Sequence, residues 1–140
     1  METLTRPALS TGDVVQAAYR AFEARDVPAL LALLAPDVTW GQPDNAHIPS
    51  SGTRHGVDGV REWLRIGNES EDVQLMEPRH ILVEGDTAVV IGFMRVVARP
   101  TGIPYEMEFV HVITVRDGKV ARFREYFDTW TAAQAFLGAS

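Results

Sequence analysis

Three ionisable side chains late in the chain lie among aromatic and aliphatic neighbours: His111, Glu125 and Asp128. In the extended stretch Tyr105–Val115, alternation puts His111 on one face with Tyr105, Met107, Phe109, Ile113 and Val115. Asp117-Gly118 is a strong two-residue hairpin signal, because glycine accepts a positive φ without a Cβ clash. It feeds a last strand expected to run to about Trp130, with Asp128 near its end. A carboxyl group desolvated among apolar side chains holds its proton to higher pH, which suits it to proton transfer near neutrality. Alternation sets Arg124, Tyr126, Asp128 and Trp130 against Phe123, Glu125 and Phe127. Glu125 and Asp128 therefore cannot both face one pocket unless a bulge intervenes. Each residue also has a structural reading: Asp128 as the cap of a segment starting at Thr129, and His111 as a core histidine held by one hydrogen bond.

A second group of polar residues lies between Gly41 and Gly56. Pro43, Pro49 and Gly52 leave this stretch without helical or strand period, so it reads as either a pocket rim or lid or a plain surface excursion. It carries Gln42, Asp44, His47 and His55. Their spacing follows no metal-ligand pattern, and no metal is expected. Tyr19, Trp63, Phe93, Phe109 and Met76 are candidates for pocket lining or for core.

Residues 1–12 read as a loose lead-in. Asp13 with Gln16 suggests a helix start, and Val14, Val15, Ala18, Ala21 and Phe22 give helical periodicity to about Arg25. Asp26-Val27-Pro28 restarts the chain into a short apolar helix, expected to be deeply buried until Pro36 stops it. Val38–Trp40 reads as a short strand, and Asp58 as the cap of a third helix with Val60, Trp63 and Leu64 inward. Strand patterning then covers Val73–Val83, with a bulge or edge at Pro78, and Thr87–Ala98 after a turn at Gly85-Asp86. The second of these is apolar almost throughout, so both its faces should be covered: one by the helices and one by a second subunit, as a homodimer through the sheet. Gly92 gives that strand room to bend. Three helices with one early strand followed by an antiparallel meander make an α+β architecture, expected as a single domain over residues 1–140.

Composition narrows the partners. Thirteen Lys and Arg against nineteen Asp and Glu leave a formal charge of −6, which opposes a nucleic-acid partner. The chain has no cysteine, so disulfides, thiolate metal sites and cysteine nucleophiles are excluded. No apolar run reaches membrane-spanning length, and the first residues lack a signal pattern. The expectation is a soluble cytoplasmic protein with no membrane partner.

The element order, the Val14–Asp26 and Leu30–Asp37 segments, the Gly56-Val57-Asp58-Gly59-Val60-Arg61-Glu62-Trp63 helix start and the ending Arg124-Glu125-Tyr126-Phe127-Asp128 after Asp117-Gly118-Lys119 together carry a resemblance. The chain resembles the NTF2-like superfamily, in the branch of SnoaL-like polyketide cyclases, ketosteroid isomerases and limonene-type epoxide hydrolases. The resemblance implies an α+β cone, a curved antiparallel sheet wrapped around three N-terminal helices, with an apolar interior pocket. It maps Asp128 onto the terminal-strand acid or base of the hydrolase pattern, and Trp40 and Gln42 onto residues that hold the attacking water. The Arg and Asp completing that pattern fall on Gly92 and Met94, leaving Arg95 as the compensating arginine. The isomerase pattern puts its tyrosine on Ala18, beside Tyr19. Its base falls on Gln42, two residues before Asp44, and its acid donor on His111. In the cyclases the acidic residue can fall nearer Glu125.

The expected function is that of a cofactor-independent SnoaL-like cyclase or isomerase moving protons on a small, largely apolar carbonyl or polyketide-derived substrate. Asp128 is the expected acid or base and His111 its partner. Trp40, Gln42, Tyr19, Phe109 and Trp63 contact substrate, and Glu125 and Asp44 stand in reserve. The alternatives are an epoxide hydrolase or epoxide-opening cyclase, a non-catalytic binder of an apolar ligand, and a dimerisation module with a filled cup.

Overall fold

In the computed structural model, which describes residues 9–138, helix α1 spans Thr11–Glu23. It begins two residues before the expected Asp13, because the Ser10 hydroxyl accepts from the Asp13 N–H at 3.1 Å and supplies the cap itself. The lead-in expected over residues 1–12 lies, up to residue 8, outside the described residues. Helix α2 (Val27–Ala32) starts as expected, with Asp26 accepting from the Ala29 N–H and Pro28 in the first turn. It ends short of Pro36, and Leu30 is its buried residue. Strand β1 (Leu34–Gly41) follows at once and itself sends Leu34, Ala35 and Val38 into the core.

The loop after β1 contains a three-residue strand, β2 (Thr53–His55), that pairs antiparallel with β1. Helix α3 (Gly56–Ser70) is capped by His55 without a side-chain bond, so Asp58 sits in its first turn instead of capping it. The remaining strands are β3 (Glu71–Glu84), β4 (Thr87–Ala98), β5 (Ile103–Arg116) and β6 (Lys119–Phe127). The sheet order is β2-β1-β6-β5-β4-β3, an open, curved six-stranded sheet. Every neighbouring pair is antiparallel except β1 with β6. That parallel pair is possible because residues 42–118 lie between the two strands and supply the long crossover it needs.

The core is built on one face of this sheet. Ala88, Val90, Met94 and Val96 of β4, Phe109 and Ile113 of β5 and Phe123 of β6 meet Val14 and Val15 of α1 and Val60 of α3. On the other face of β4, Val89, Ile91, Phe93 and Val97 are only half-buried, so the chain itself covers the strand on one face. Arg95 is exposed on that outer face and bonds Glu106 at 3.1 Å. The last strand ends at Phe127, short of Trp130, and the chain turns into a fourth helix, α4 (Thr129–Leu137), started by Asp128. Among the described residues no helix is long and apolar enough to cross a membrane.

Irregular pairings help decide which side chains reach the core. Pairing between β3 and β4 shifts between Pro78 and His80, as the proline implies. Pairing between β5 and β6 shifts between Thr114 and Val115. The Asp117-Gly118 turn, with both residues at positive φ, sets Arg116 opposite Lys119 and Val115 opposite Val120. Continued unchanged, that register would bring Arg124 opposite His111. Ala121 is instead bulged out, Thr114 meets Arg122, and Glu125 comes opposite His111.

Gly92 lies on the core face beneath Phe109. A Cβ at this position would fall 2.3 Å from Phe109 Cζ and 2.4 Å from the Glu77 carbonyl oxygen. Gly92→Ala is expected to lower stability by about 1–3 kcal/mol through overpacking, read as a lower denaturant midpoint with an unchanged m-value.

Candidate active site

The bulge at Ala121 makes His111 and Glu125 direct neighbours on the core face. His111 Nε2 lies 2.5 Å from Glu125 Oε2, and Nδ1 lies 2.5 Å from the Tyr19 hydroxyl, brought down by α1. His111 is 3% exposed and Glu125 6% exposed. The imidazole is held in place: Phe109 stacks on it at 4.2 Å between centroids, and the Tyr19 ring lies nearly parallel to it. Parallel pairing of β1 with β6 places Trp40 beside Phe123, rings 4.0 Å apart, and carries Gln42 to the position beside Glu125. The Gln42 Nε2 amide donates to Glu125 Oε1 at 2.6 Å.

The network continues outward. Ser50, 2% exposed in the loop after β1, lies 3.2 Å from Gln42 Oε1 and 3.1 Å from Glu71 Oε1 at the start of β3. The loop holds Ser50 in place through its own bonds between Asn45 and Ser51 and through buried Ile48. Gln42 has its amide N–H committed to Glu125, so its oxygen is an acceptor. Ser50 has one proton for two acceptors. The arrangement is satisfied when Glu71 carries a proton and donates to the Ser50 oxygen. Burial pushes the Glu71 carboxyl up to about 7, against the lowering effect of the Ser50 bond and with a further rise from the negative charge of Glu125.

Two neighbouring spaces adjoin this chain of bonds. An inner chamber of about 50 Å³ is walled by Trp40, Trp63, Ile113, Phe123, His111 and Glu125. An outer cavity of about 630 Å³ reaches Ser50, Glu71 and the rim between α2 and α3. Tyr19, Phe22, Leu30, Trp63 and Met76 border both. The Tyr19 phenol is held above its ordinary pKa, first by burial and then by the Glu125 charge, so it is a hydroxyl donor and not a phenolate. The Tyr19–His111–Glu125 geometry serves two protonation patterns. In the unloaded one, the tyrosine donates to Nδ1 and Nε2–H donates to the carboxylate. With one more proton on the His–Glu pair, Nδ1–H donates to the tyrosine oxygen and frees the phenolic O–H for a ligand.

Asp128 is not part of this site. It is exposed, caps α4, and accepts from both the backbone N–H and the hydroxyl of Thr131, at 3.1 and 2.8 Å. Those bonds hold its carboxyl below the ordinary range, the reverse of what a pocket base needs. Glu125, the reserve candidate, occupies the place assigned to Asp128, because the bulge reverses the faces of β6. Asp44, His47 and His55 are exposed on the loop and at the start of α3, away from the chambers. Arg95 points to the outer face of the sheet. Phe109 supports His111 from below rather than lining the cavity. Trp40, Tyr19 and Trp63 line the cavities, whereas Gln42, expected to contact substrate, lines neither and instead bonds Glu125 and Ser50. Ser50 and Glu71 were not anticipated. The signal for Glu71 was its alternation with Val73 on the core face; for Ser50 the sequence offers none, since a serine in an irregular loop has no periodicity.

This fold belongs to a known class. The SnoaL-like domain family matches residues 15–123, and the chain belongs to that family. Its structural neighbours are NTF2-like. An NTF2-like protein of unknown function from Burkholderia pseudomallei is 34% identical, with a TM-score of 0.83 over 90% of this chain and 96% of that one. TerC, co-crystallized with polyporic acid, is 29% identical, with a TM-score of 0.79 over 91% of this chain and 98% of that one. A shorter stretch of 39 residues is 38% identical to the uncharacterized protein YesE of Bacillus subtilis (strain 168), covering 28% of this chain and 26% of YesE.

Two outcomes follow from the geometry. Asp128→Ala should cost about 1 kcal/mol of stability as a lost helix cap, measured by thermal or denaturant unfolding. Glu71 binds a proton in the folded state that the unfolded chain has released above 4.5, so its contribution favours folding at low pH and is lost as pH rises from 4.5 through about 7. Relative to Glu71→Gln, the wild-type chain should lose up to about 3 kcal/mol across that window, a difference visible in denaturant midpoints at pH 4.5 and 8.

Proposed function

We propose that this SnoaL-like protein is a cofactor-independent enzyme that moves a proton on a small, largely apolar carbonyl compound, as a cyclase or isomerase. The observation that carries the reading is a buried carboxylate, Glu125, in the wall of an otherwise apolar chamber and bonded to His111, which is itself bonded to Tyr19. Removing such a carboxylate from water costs several kcal/mol, and sites that keep one in a cleft are enriched in acid–base function. Glu125 takes the proton from the carbon beside the carbonyl, and the electron pair of that C–H bond moves into the enolate. With His111 doubly protonated, Nε2–H donates to Glu125 and Nδ1–H to the Tyr19 oxygen, so the phenolic O–H is free to donate to the enolate oxygen. The Tyr19 hydroxyl then stands as a donor where negative charge develops. Return of the proton to another atom completes an isomerisation, and attack of the enolate carbon on a second carbonyl completes a cyclisation. Co-crystallization of TerC with polyporic acid supports an organic ligand in a relative of this chain. A homodimer through the half-buried outer face of the sheet belongs to the same reading.

A second reading, a non-catalytic ligand carrier, is favoured by the engagement of both His111 nitrogens in bonds within the protein. Deuterium exchange at the α-carbon of 2-tetralone, followed by NMR in D₂O, separates the two. The enzyme reading expects acceleration over buffer, a loss of about 100-fold or more in Glu125→Gln, a smaller loss in Tyr19→Phe, and full rate in Asp128→Asn. Binding of the ketone with no exchange, or exchange untouched by Glu125→Gln, would decide for the carrier.

A further inference from the structure

One polar group in the wall of the outer cavity has a bonding position that the protein leaves open. Glu71, at the start of β3, borders that cavity beside Ser50, and Phe22, Leu30, Trp63, Val73 and Met76 make the wall around it largely apolar. Its Oε1 is engaged with Ser50 at 3.1 Å. Its Oε2 has no hydrogen-bond partner among the described residues and retains accessible surface. Arg99 bonds the Glu71 backbone carbonyl, at 3.1 Å, and the ion pairs among the described residues do not include the Glu71 carboxyl. The bonds behind Glu71 fix what Oε2 can do. Gln42 gives its N–H to Glu125 and so offers an oxygen to Ser50. Ser50 donates its one proton to that oxygen and accepts from Glu71 Oε1. The Glu71 proton is therefore held inward on Oε1, and Oε2 is the carbonyl oxygen of a neutral acid. Burial keeps the acid neutral towards pH 7. An acceptor taken out of bulk water costs stability until a donor reaches it.

We infer that Glu71, held by Ser50, forms a polar subsite for a neutral hydroxyl on the ligand, so that the substrate is a hydroxylated carbonyl compound with its carbonyl end at Glu125 and its hydroxyl at Glu71. The inference rests on the proposed function and deepens it, by adding a second polar group to the substrate. The spacing agrees. Three hydrogen bonds and one amide group join the two carboxyls, so their bonded oxygens lie no more than about 11 Å apart. A two-ring skeleton bridges such a span, and a cavity of about 630 Å³ has room for one. Proton bookkeeping selects the hydroxyl over its rivals. An ammonium group would favour the ionised carboxyl; the Ser50 proton would then turn to Glu71 and leave the Gln42 oxygen without a donor. A ligand carboxylate or ether oxygen brings no proton for Oε2 to accept. A neutral hydroxyl completes the chain of bonds without altering it. Because Ser50 fixes the carboxyl before binding, the ligand has little to reorganise.

Two ketones of matched size test the subsite by titration calorimetry on the full-length protein at pH 6, where Glu71 carries its proton. One is 6-hydroxy-2-tetralone, which can donate, and the other is 6-fluoro-2-tetralone, which cannot. The hydroxyl compound should bind the wild-type protein about tenfold more tightly. Glu71→Leu should bring the two to equal affinity and leave binding of the fluoro compound nearly unchanged, which also shows that the variant is folded. Glu71→Gln should keep the preference, because its amide N–H can donate to Ser50 while its oxygen takes the place of Oε2. A measurement on the wild type stands apart from the leucine variant. The ¹³C signal of the Glu71 carboxyl, identified by its absence from Glu71→Gln, should move further with the hydroxyl compound than with the fluoro one. Equal affinities in the wild type, as when a water stays on Oε2, would overturn the inference. So would a preference that survives Glu71→Leu, or a carboxyl signal that both ketones move equally. Because 2-tetralone has no hydroxyl, its exchange tests Glu125 separately. Exchange that depends on Glu125 without any hydroxyl preference sinks this inference and leaves the proposed function intact. A hydroxyl preference that depends on Glu71 without any exchange supports the subsite and turns the protein into a carrier.

Discussion

The contact on which the site depends is the short bond between His111 and Glu125, and that bond exists because one residue is bulged out of β6. The two-residue turn at Asp117-Gly118 starts the hairpin in a register that would set Arg124 against His111. The bulge at Ala121 advances the register by one. A one-residue shift exchanges the two faces of a strand. Phe123, Glu125 and Phe127 therefore turn inward and Arg124, Tyr126 and Asp128 turn away. Without that step the cup would have a guanidinium at its base and no carboxylate beside the imidazole.

The surrounding elements meet the cost of burying Glu125 beside His111 by supplying donors and rigid walls. Glu125 receives the Gln42 amide, His111 receives or donates to Tyr19, and Phe109 lies flat beneath the imidazole. Phe109 in turn has its place only because Gly92 has no side chain. The same glycine that makes room for the stacked pair stands where the hydrolase pattern would put a charged residue. Packing and chemistry at this position are thus alternatives, and this chain has taken packing. The outer end of the network is set differently, by the single proton of Ser50 between two acceptors and by the desolvated carboxyl of Glu71.

Most of the architecture could be read from periodicity. The apolar run Thr87–Ala98 became β4 with the same ends, Asp26-Val27-Pro28 began α2, and Pro78 marked an irregular pairing. Local chemistry also explains the near misses: Ser10 displaces Asp13 as the first cap, and Asp128 is the cap of α4, the structural reading that its residue type allowed. His111, Gln42, Trp40, Tyr19 and Trp63 were legible as site residues from their faces and from the family resemblance. Ser50 and β2 were not, because a proline-interrupted loop carries no repeating signal.

The sequence by itself determined the helices, the strand faces of β4 and β5, the turn that opens β6 and the presence of a histidine among apolar residues. Each of these rests on local spacing or backbone preference. Only the tertiary structure decided which carboxylate meets that histidine. Alternation describes a strand's two faces but does not say which one turns inward. That choice rests on a single bulged residue, and on long-range pairing of β1 with β6 that brings Gln42 to the same carboxylate.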